Sequence, residues 1–286
     1  MEREQLLNII KFNEDNAREI QMDCNLFYEM MGRNSAVVLP DIQTISRVLF
    51  ENAGYKLIRL PLKNKEIGAF LLKLNTAKYV VLNTSKSCAN NNFALGHELY
   101  HTLIQRNEEY NSAEVYMENY EDNPIEKKAN AFSGSILMPK EDFIVTSKLV
   151  TGMNSDDITR IHEYANDLLT VLTLVNNYKT TYMSVLIRCY ECGLFDIKDV
   201  KKMDFLLKHN KEKEIGKIFR LVSTRIPVSV QMEPSYIDDF QMLYEEAKQE
   251  GEHSLNLGWI TKDDLEYRLN GLKAAYQEVV EVQQID

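Results

Sequence analysis

Apolar residues recur at helical spacing from the start of the chain. Leu6, Ile9, Ile10, Ile20, Cys24, Phe27, Tyr28 and Met31 predict one or two helices across 3–31. Pro40-Asp41 opens a second helical pattern over 41–51, with Asp41 as N-cap and Ile42, Ile45, Val48 and Leu49 as its buried stripe. The rhythm then shifts to three strand-like runs at 55–60, 68–74 and 79–83. The last two, separated by Asn75-Thr76-Ala77-Lys78, predict a hairpin. Asn90, Asn91 and Asn92 offer N-caps for a helix over 93–104. After a polar connection, Asn123-Pro124 restarts a helix with Asn as cap and Pro at the first helical position. Ala129, Phe132, Ile136 and Leu137 share one side of it, and Pro139 ends it. From Lys140 onward the pattern is mainly helical, with joints at Gly152, Pro227, Pro234 and Gly251, and no internal repeat is visible.

Composition narrows the class. With 44% of residues apolar and only 11 Gly and 6 Pro in 286, the chain can bury a sizeable core, which sets aside disordered, collagen-like and low-complexity classes. The net charge of −10 lacks the basic footprint of a tight, non-specific nucleic-acid binder. A local DNA-reading module would work against the field of the whole molecule. Most of the acidity lies in residues 204–286, with ten basic and sixteen acidic side chains. The start, Met1-Glu2-Arg3-Glu4-Gln5, carries acid where a signal peptide needs a basic region, and the most apolar stretches are too short to span a bilayer. Four cysteines (Cys24, Cys88, Cys189, Cys192) are too sparse for a disulfide scaffold. These features predict a soluble, reduced, cytoplasmic protein without membrane contact.

The informative peptide is Gly96-His97-Glu98-Leu99-Tyr100-His101, which contains H-E-x-x-H. On a helix, residues four apart share a face, so His97 and His101 can reach one ion. Glu98 is rotated to the side, where it can take a proton from a water held by the metal without itself being a ligand. Phe93, Leu95, Leu99, Leu103 and Ile104 suit a buried helix, and Gly96 leaves room beside the first histidine. The competing reading is a pair of satisfied histidines on a core helix. A catalytic zinc takes three protein ligands and leaves a position for water. His162, His209 and His253 have no motif around them, whereas the acids Glu108, Glu109, Glu114, Glu118, Glu121, Asp122 and Glu126 all follow the helix. Glu126 is favoured because it begins the next helix, although it equally fits a capping arrangement at the third helical position.

These peptides resemble a known family. Tyr79-Val80-Val81-Leu82-Asn83, then Phe93-Ala94-Leu95-Gly96-His97-Glu98-Leu99-Tyr100-His101, then Glu126-Lys127-Lys128-Ala129-Asn130-Ala131-Phe132 and Ile136-Leu137-Met138-Pro139 resemble the ImmA/IrrE metallopeptidases over roughly 40–195. The resemblance implies one zinc ion per chain, held by His97, His101 and Glu126, with Glu98 as the general base. It implies an α+β, zincin-like domain whose small twisted sheet packs on the metal-binding helix, with substrate lying extended along a sheet edge. It also implies a site-specific intracellular protease that cleaves a helix-turn-helix repressor of phage, mobile-element or stress genes. Three features depart from the family pattern: Gly96 stands where Ala is usual, Tyr100 where Gly is usual, and Cys88–Asn92 replaces the more basic segment usual before the helix. Tyr100 within the motif is expected to crowd the cleft, which bears on substrate fit rather than on zinc binding. No residue stands out as the oxyanion stabiliser; Tyr110, Tyr116 and Tyr120 are near the motif in sequence only.

The expected organisation is therefore a peptidase domain with N-terminal helices (1–150), a helix-turn-helix-like module (151–202) and an acidic helical extension (203–286). In 174–195 the apolar positions Val175, Tyr178, Val185, Leu186 and Leu194 suit bihelical packing. The second helix offers only Arg188 as a base, which argues for packing or substrate recognition rather than DNA reading. Cys189 and Cys192, three apart in a helix without a second pair, read as core positions rather than a redox or zinc motif. The stretch 105–126, with seven acids and one base, reads as a solvated loop or as a rim attracting a basic substrate. The alternatives to a protease are a zinc-containing transcriptional regulator and a toxin-antitoxin component acting through the helical C-terminal part.

Overall fold

A computed structural model of the chain describes residues 1–39, 41–73, 77–105, 123–153, 163–209 and 233–281. The predicted turn at Asn75-Thr76, the acids between 106 and 122, Tyr110, Tyr116, Tyr120, His162 and Pro227 lie outside the described residues. The N-terminal pattern resolves into two helices, α1 (Arg3–Asp15) and α2 (Ala17–Met30), followed by α3 (Ile42–Asn52). Asp41 caps α3, its side chain accepting from the backbone N–H groups of Gln43 and Thr44. The buried stripe of α3 differs from the expected one. Ile42, Ser46 and Phe50 face inward, and Val48 is half exposed. A stride of four keeps 42, 46 and 50 on one face, and the larger Phe50 takes the inner place.

Three strands follow: β1 (Lys56–Leu60), β2 (Ala69–Lys73) and β3 (Lys78–Asn83). Their order is β1-β3-β2, with β1 parallel to β3 and β2 antiparallel to it, as the expected hairpin requires. Asn83, at the end of β3, is fully buried. Its Oδ1 accepts from the N–H groups of Leu62 and Ser85, and its Nδ2 donates to the carbonyls of Asn64 and Ile67. One amide thus fixes the loop between β1 and β2 against the exit of β3.

The sheet packs on α4 (Cys88–Leu99). This helix begins five residues earlier than its pattern suggested, because Ser87 caps it and the three asparagines lie inside it. Asn92 is consumed there as a brace: its Oδ1 accepts from Gln43 on α3, and its Nδ2 donates to the Lys179 carbonyl. Beyond Leu99 the helix widens into a π-helical turn, Tyr100–Ile104. Helix α5 (Pro124–Leu137) starts as expected, with the Asn123 side chain accepting from the Ile125 N–H, and lies alongside α4. Ala129, Phe132 and Ile136 are fully buried between them and α2.

Helices α6 (Lys140–Met153), α7 (Ala165–Tyr178), α8 (Tyr182–Glu191) and α9 (Val200–Leu207) complete the body. The α7–α8 pair is the helix-turn-helix-like segment, with Lys179 in the left-handed region at φ 52° in its turn and Gly193 at φ 69° ending α8. α8 is packed between α7, α1 and α5, and Tyr182, Ser184, Val185, Leu186, Cys189 and Tyr190 are buried. Arg188 is spent internally, donating to the Met138 carbonyl and to Glu191. All four cysteines are free.

The chain ends in an antiparallel helical hairpin, α10 (Phe240–Asn256) and α11 (Lys262–Val279). Residues 233–239 lead into it along the exit of β3, with bonds from Cys88 N–H to the Glu233 carbonyl and from Tyr236 N–H to the Thr84 carbonyl. Asp239 then grips β1: its carboxylate accepts from the Arg59 backbone N–H and from Nε and Nη2 of the guanidinium, all within 2.9 Å. Val280 pairs with Leu62 on the return. The β1 side of the sheet is thereby covered, and β2 forms the opposite edge. No helix among the described residues is long and apolar enough to cross a membrane.

Candidate metal centre

Helix α4 sets the centre. His97 and His101 stand one turn apart on the face turned to α5 and are both buried. The close approach of α5 depends on Gly96. A Cβ at that position would collide with Ser133 Oγ, whose hydroxyl instead donates to the Phe93 carbonyl at 2.7 Å. With the helices this near, Glu126 from the first turn of α5 reaches both imidazoles. Its Oε2 lies 3.0 Å from His97 Nε2 and its Oε1 lies 3.5 Å from His101 Nε2. The capping role open to Glu126 is not the one it takes; Asn123 alone caps α5 with its side chain.

The three residues form a buried group able to hold a metal, their donor atoms all within 4.8 Å of one another. The two Nε2 atoms face each other at 3.0 Å. Each ring directs Nδ1 at an amide oxygen, Asn130 Oδ1 for His97 and Gln105 Oε1 for His101. Amide oxygens only accept, so Nδ1 is the donor in each of these pairs and each Nε2 is left facing Glu126 and the other ring. Two imidazole nitrogens and a carboxylate at this spacing are held together by a cation or a shared proton, and tetrahedral zinc sets its donors roughly 3.3 Å apart. Glu126 Oε1 is buried without a good hydrogen bond, a further unmet acceptor at the same point. Nitrogen and carboxylate donors in this number suit zinc. His209 turns its Nδ1 to the Phe205 carbonyl, and His253 lies on the exposed α10, so neither joins the group.

Electrostatics follow from burial. Burial pushes the Glu126 carboxyl up, but the imidazoles of His101 and His97 outweigh it and hold the group down at about 2. Burial pulls His101 down, and Glu126 and Glu98 overcome that and raise it. Glu98 is almost wholly enclosed, and burial, only partly opposed by the two histidines, raises its carboxyl above the usual glutamate range. Its Oε2 has no hydrogen-bond partner among the described residues.

Tyr100 does not crowd the cleft as its place in the motif suggested. It is buried against Phe132, ring centroids 5.5 Å apart, and stands edge-on to His101. Burial and the charges of Asp23 and Glu19 on α2 push its hydroxyl up to about 12. The amides of Asn130 and Gln105 carried no role in the sequence reading. Their signal was present in the spacing: each lies four residues after a member of the group, Glu126 and His101.

Residues 50–190 match the family described as Peptidase_M78, the IrrE N-terminal-like domain. No curated protein and no solved structure matches the chain.

Proposed function

Because the chain belongs, through residues 50–190, to the ImmA/IrrE peptidase family, we propose that it is a zinc metalloendopeptidase. His97, His101 and Glu126 hold one zinc ion in this reading, and Glu98 is the general base. The observation that supports it most directly is the convergence of three buried donor atoms, two of them on the α4–π-helical stretch that also carries Glu98 with its unpartnered Oε2. Bound zinc supplies a polarised carbonyl and a water acidic enough to be deprotonated near neutral pH.

The chain's own residues do the rest. Glu98, raised by burial, is a stronger base than a solvated glutamate; it takes the proton of the attacking water at its carboxylate and passes it to the leaving amine. Glu98 is itself 1% exposed, which limits the bulk water that competes for that proton. The substrate backbone adds to the edge of β2, since the C-terminal segment already covers the β1 side.

The target we propose is a DNA-binding regulatory protein of the helix-turn-helix class, met in the cytoplasm, and the reading rests on the family resemblance and on the acidity of the chain. Incubating the zinc-loaded chain with a repressor encoded beside it tests this. The wild type is expected to give two defined fragments, and Glu98→Gln to slow cleavage by about 10²–10⁴-fold while retaining metal. A Glu98→Gln chain that cleaves at the wild-type rate overturns the assignment.

A further inference from the structure

Behind each imidazole of the centre stands an amide. His97 Nδ1 lies 3.0 Å from Asn130 Oδ1, and His101 Nδ1 lies 2.6 Å from Gln105 Oε1. We infer that Asn130 and Gln105 are positioning residues: each accepts the Nδ1–H of one histidine and so aims its Nε2 lone pair at the point shared with Glu126. This rests on the reading of the centre as a metal site, and it extends that reading from the donors to what orients them.

The placement follows from the helices. Asn130 lies one turn after Glu126 on α5, so a single face of α5 delivers the carboxylate to the front of the group and the amide to the flank of His97. Gln105 lies one turn after His101, at the end of the π-helical turn, where its N–H bonds the Tyr100 carbonyl at 3.0 Å. π-Helical turns are rare and concentrate at functional sites. Here the turn carries His101 and ends on the residue that holds its ring.

A histidine whose second nitrogen is hydrogen-bonded is fixed in tautomer and ring rotation, and its metal-facing nitrogen becomes more basic. Without the acceptor the ring can turn about its axis and the lone pair leaves the centre. Both acceptors are neutral amides and bring no charge of their own. Glu126 is then the one ionised group that the donor set contributes, and a divalent cation keeps most of its power to polarise a carbonyl.

The test uses the full chain. Zinc affinity is measured by competition with a chromophoric chelator for the wild type, for Asn130→Leu and Gln105→Met, which remove an acceptor, and for Asn130→Asp, which keeps one. Each removal is expected to weaken zinc about 10–100-fold. The visible spectrum of the cobalt-loaded chain is expected to change with it, and Asn130→Asp is expected to restore both. A role in packing alone would lower the melting temperature without moving the cobalt spectrum. Removal variants that hold zinc as the wild type does and keep its cobalt spectrum overturn the inference. If Asn130→Leu does not fold, Gln105→Met and Asn130→Asp decide it alone, by weakened binding in the first and retained binding in the second. A wild type that takes no zinc overturns the metal reading itself, so the two failures are distinguishable.

Discussion

Gly96 and Ser133 occupy one another's space: the hydroxyl sits where a side chain at 96 would begin, and it is anchored there by its bond to the Phe93 carbonyl. A methyl group at 96 forces the two helices apart at the level of His97 and Glu126. Gly96→Ala is expected to cost about 1–3 kcal/mol by overpacking, read from chemical denaturation, and to weaken metal binding at the same time. Unchanged stability would mean that Ser133 simply rotates away. The residues of the H-E-x-x-H peptide were legible because the rule behind them is local: residues four apart on a helix share a face. Glu126 was not legible from spacing alone, since its role depends on how closely a second helix approaches. Its place at the start of the next helix favoured it among seven acids, the family resemblance then chose it over the capping reading, and the close α4–α5 contact supplies the physical reason. Tyr100 misled for the same reason in reverse, because only tertiary packing decides that its ring turns to Phe132.

The elements were read best where a cap and a stripe agreed. α3 and α5 start where Asp41 and Asn123 predicted. α4 began early because Ser87 outcompeted the asparagines, of which Asn92 is used to tie α3 and the α7–α8 turn to α4. No periodicity reveals that use. The Asp41 cap gives a prediction with a defined sign. The hydrogen bond from the Thr44 hydroxyl, with those from the backbone N–H groups of Thr44 and Gln43, outweighs desolvation and holds its carboxyl below the ordinary value of 3.8. A depressed carboxyl contributes stability that is present above 3.8 and is lost as pH falls through the lower folded value. Asp41→Ala is therefore expected to destabilise the chain by about 1 kcal/mol near neutral pH. The difference from wild type should shrink when melting is followed into acid, and a constant difference down to pH 2 would contradict the cap's charge dependence.

At the scale of the whole molecule, contacts some 180 residues apart in sequence join the C-terminal hairpin to the sheet, so no local pattern announces them. The fork of Arg59 on Asp239 is partly buried, with neighbouring pairs Lys56–Glu246 and Lys65–Glu281 more exposed. A bidentate, charge-assisted contact of this kind contributes about 2 kcal/mol, whereas the exposed pairs add little. Arg59→Ala is expected to speed amide exchange across α10 and α11 while leaving metal content unchanged; protection of both helices at the wild-type level would place their anchor elsewhere.

The centre is the claim on which the rest depends, and it is most directly tested by elemental analysis of the purified full chain, beside Glu126→Ala. The account predicts about one zinc per wild-type chain and a marked loss in the variant, with both proteins folded by circular dichroism. A folded wild type that carries no zinc and takes none when it is added would contradict the account.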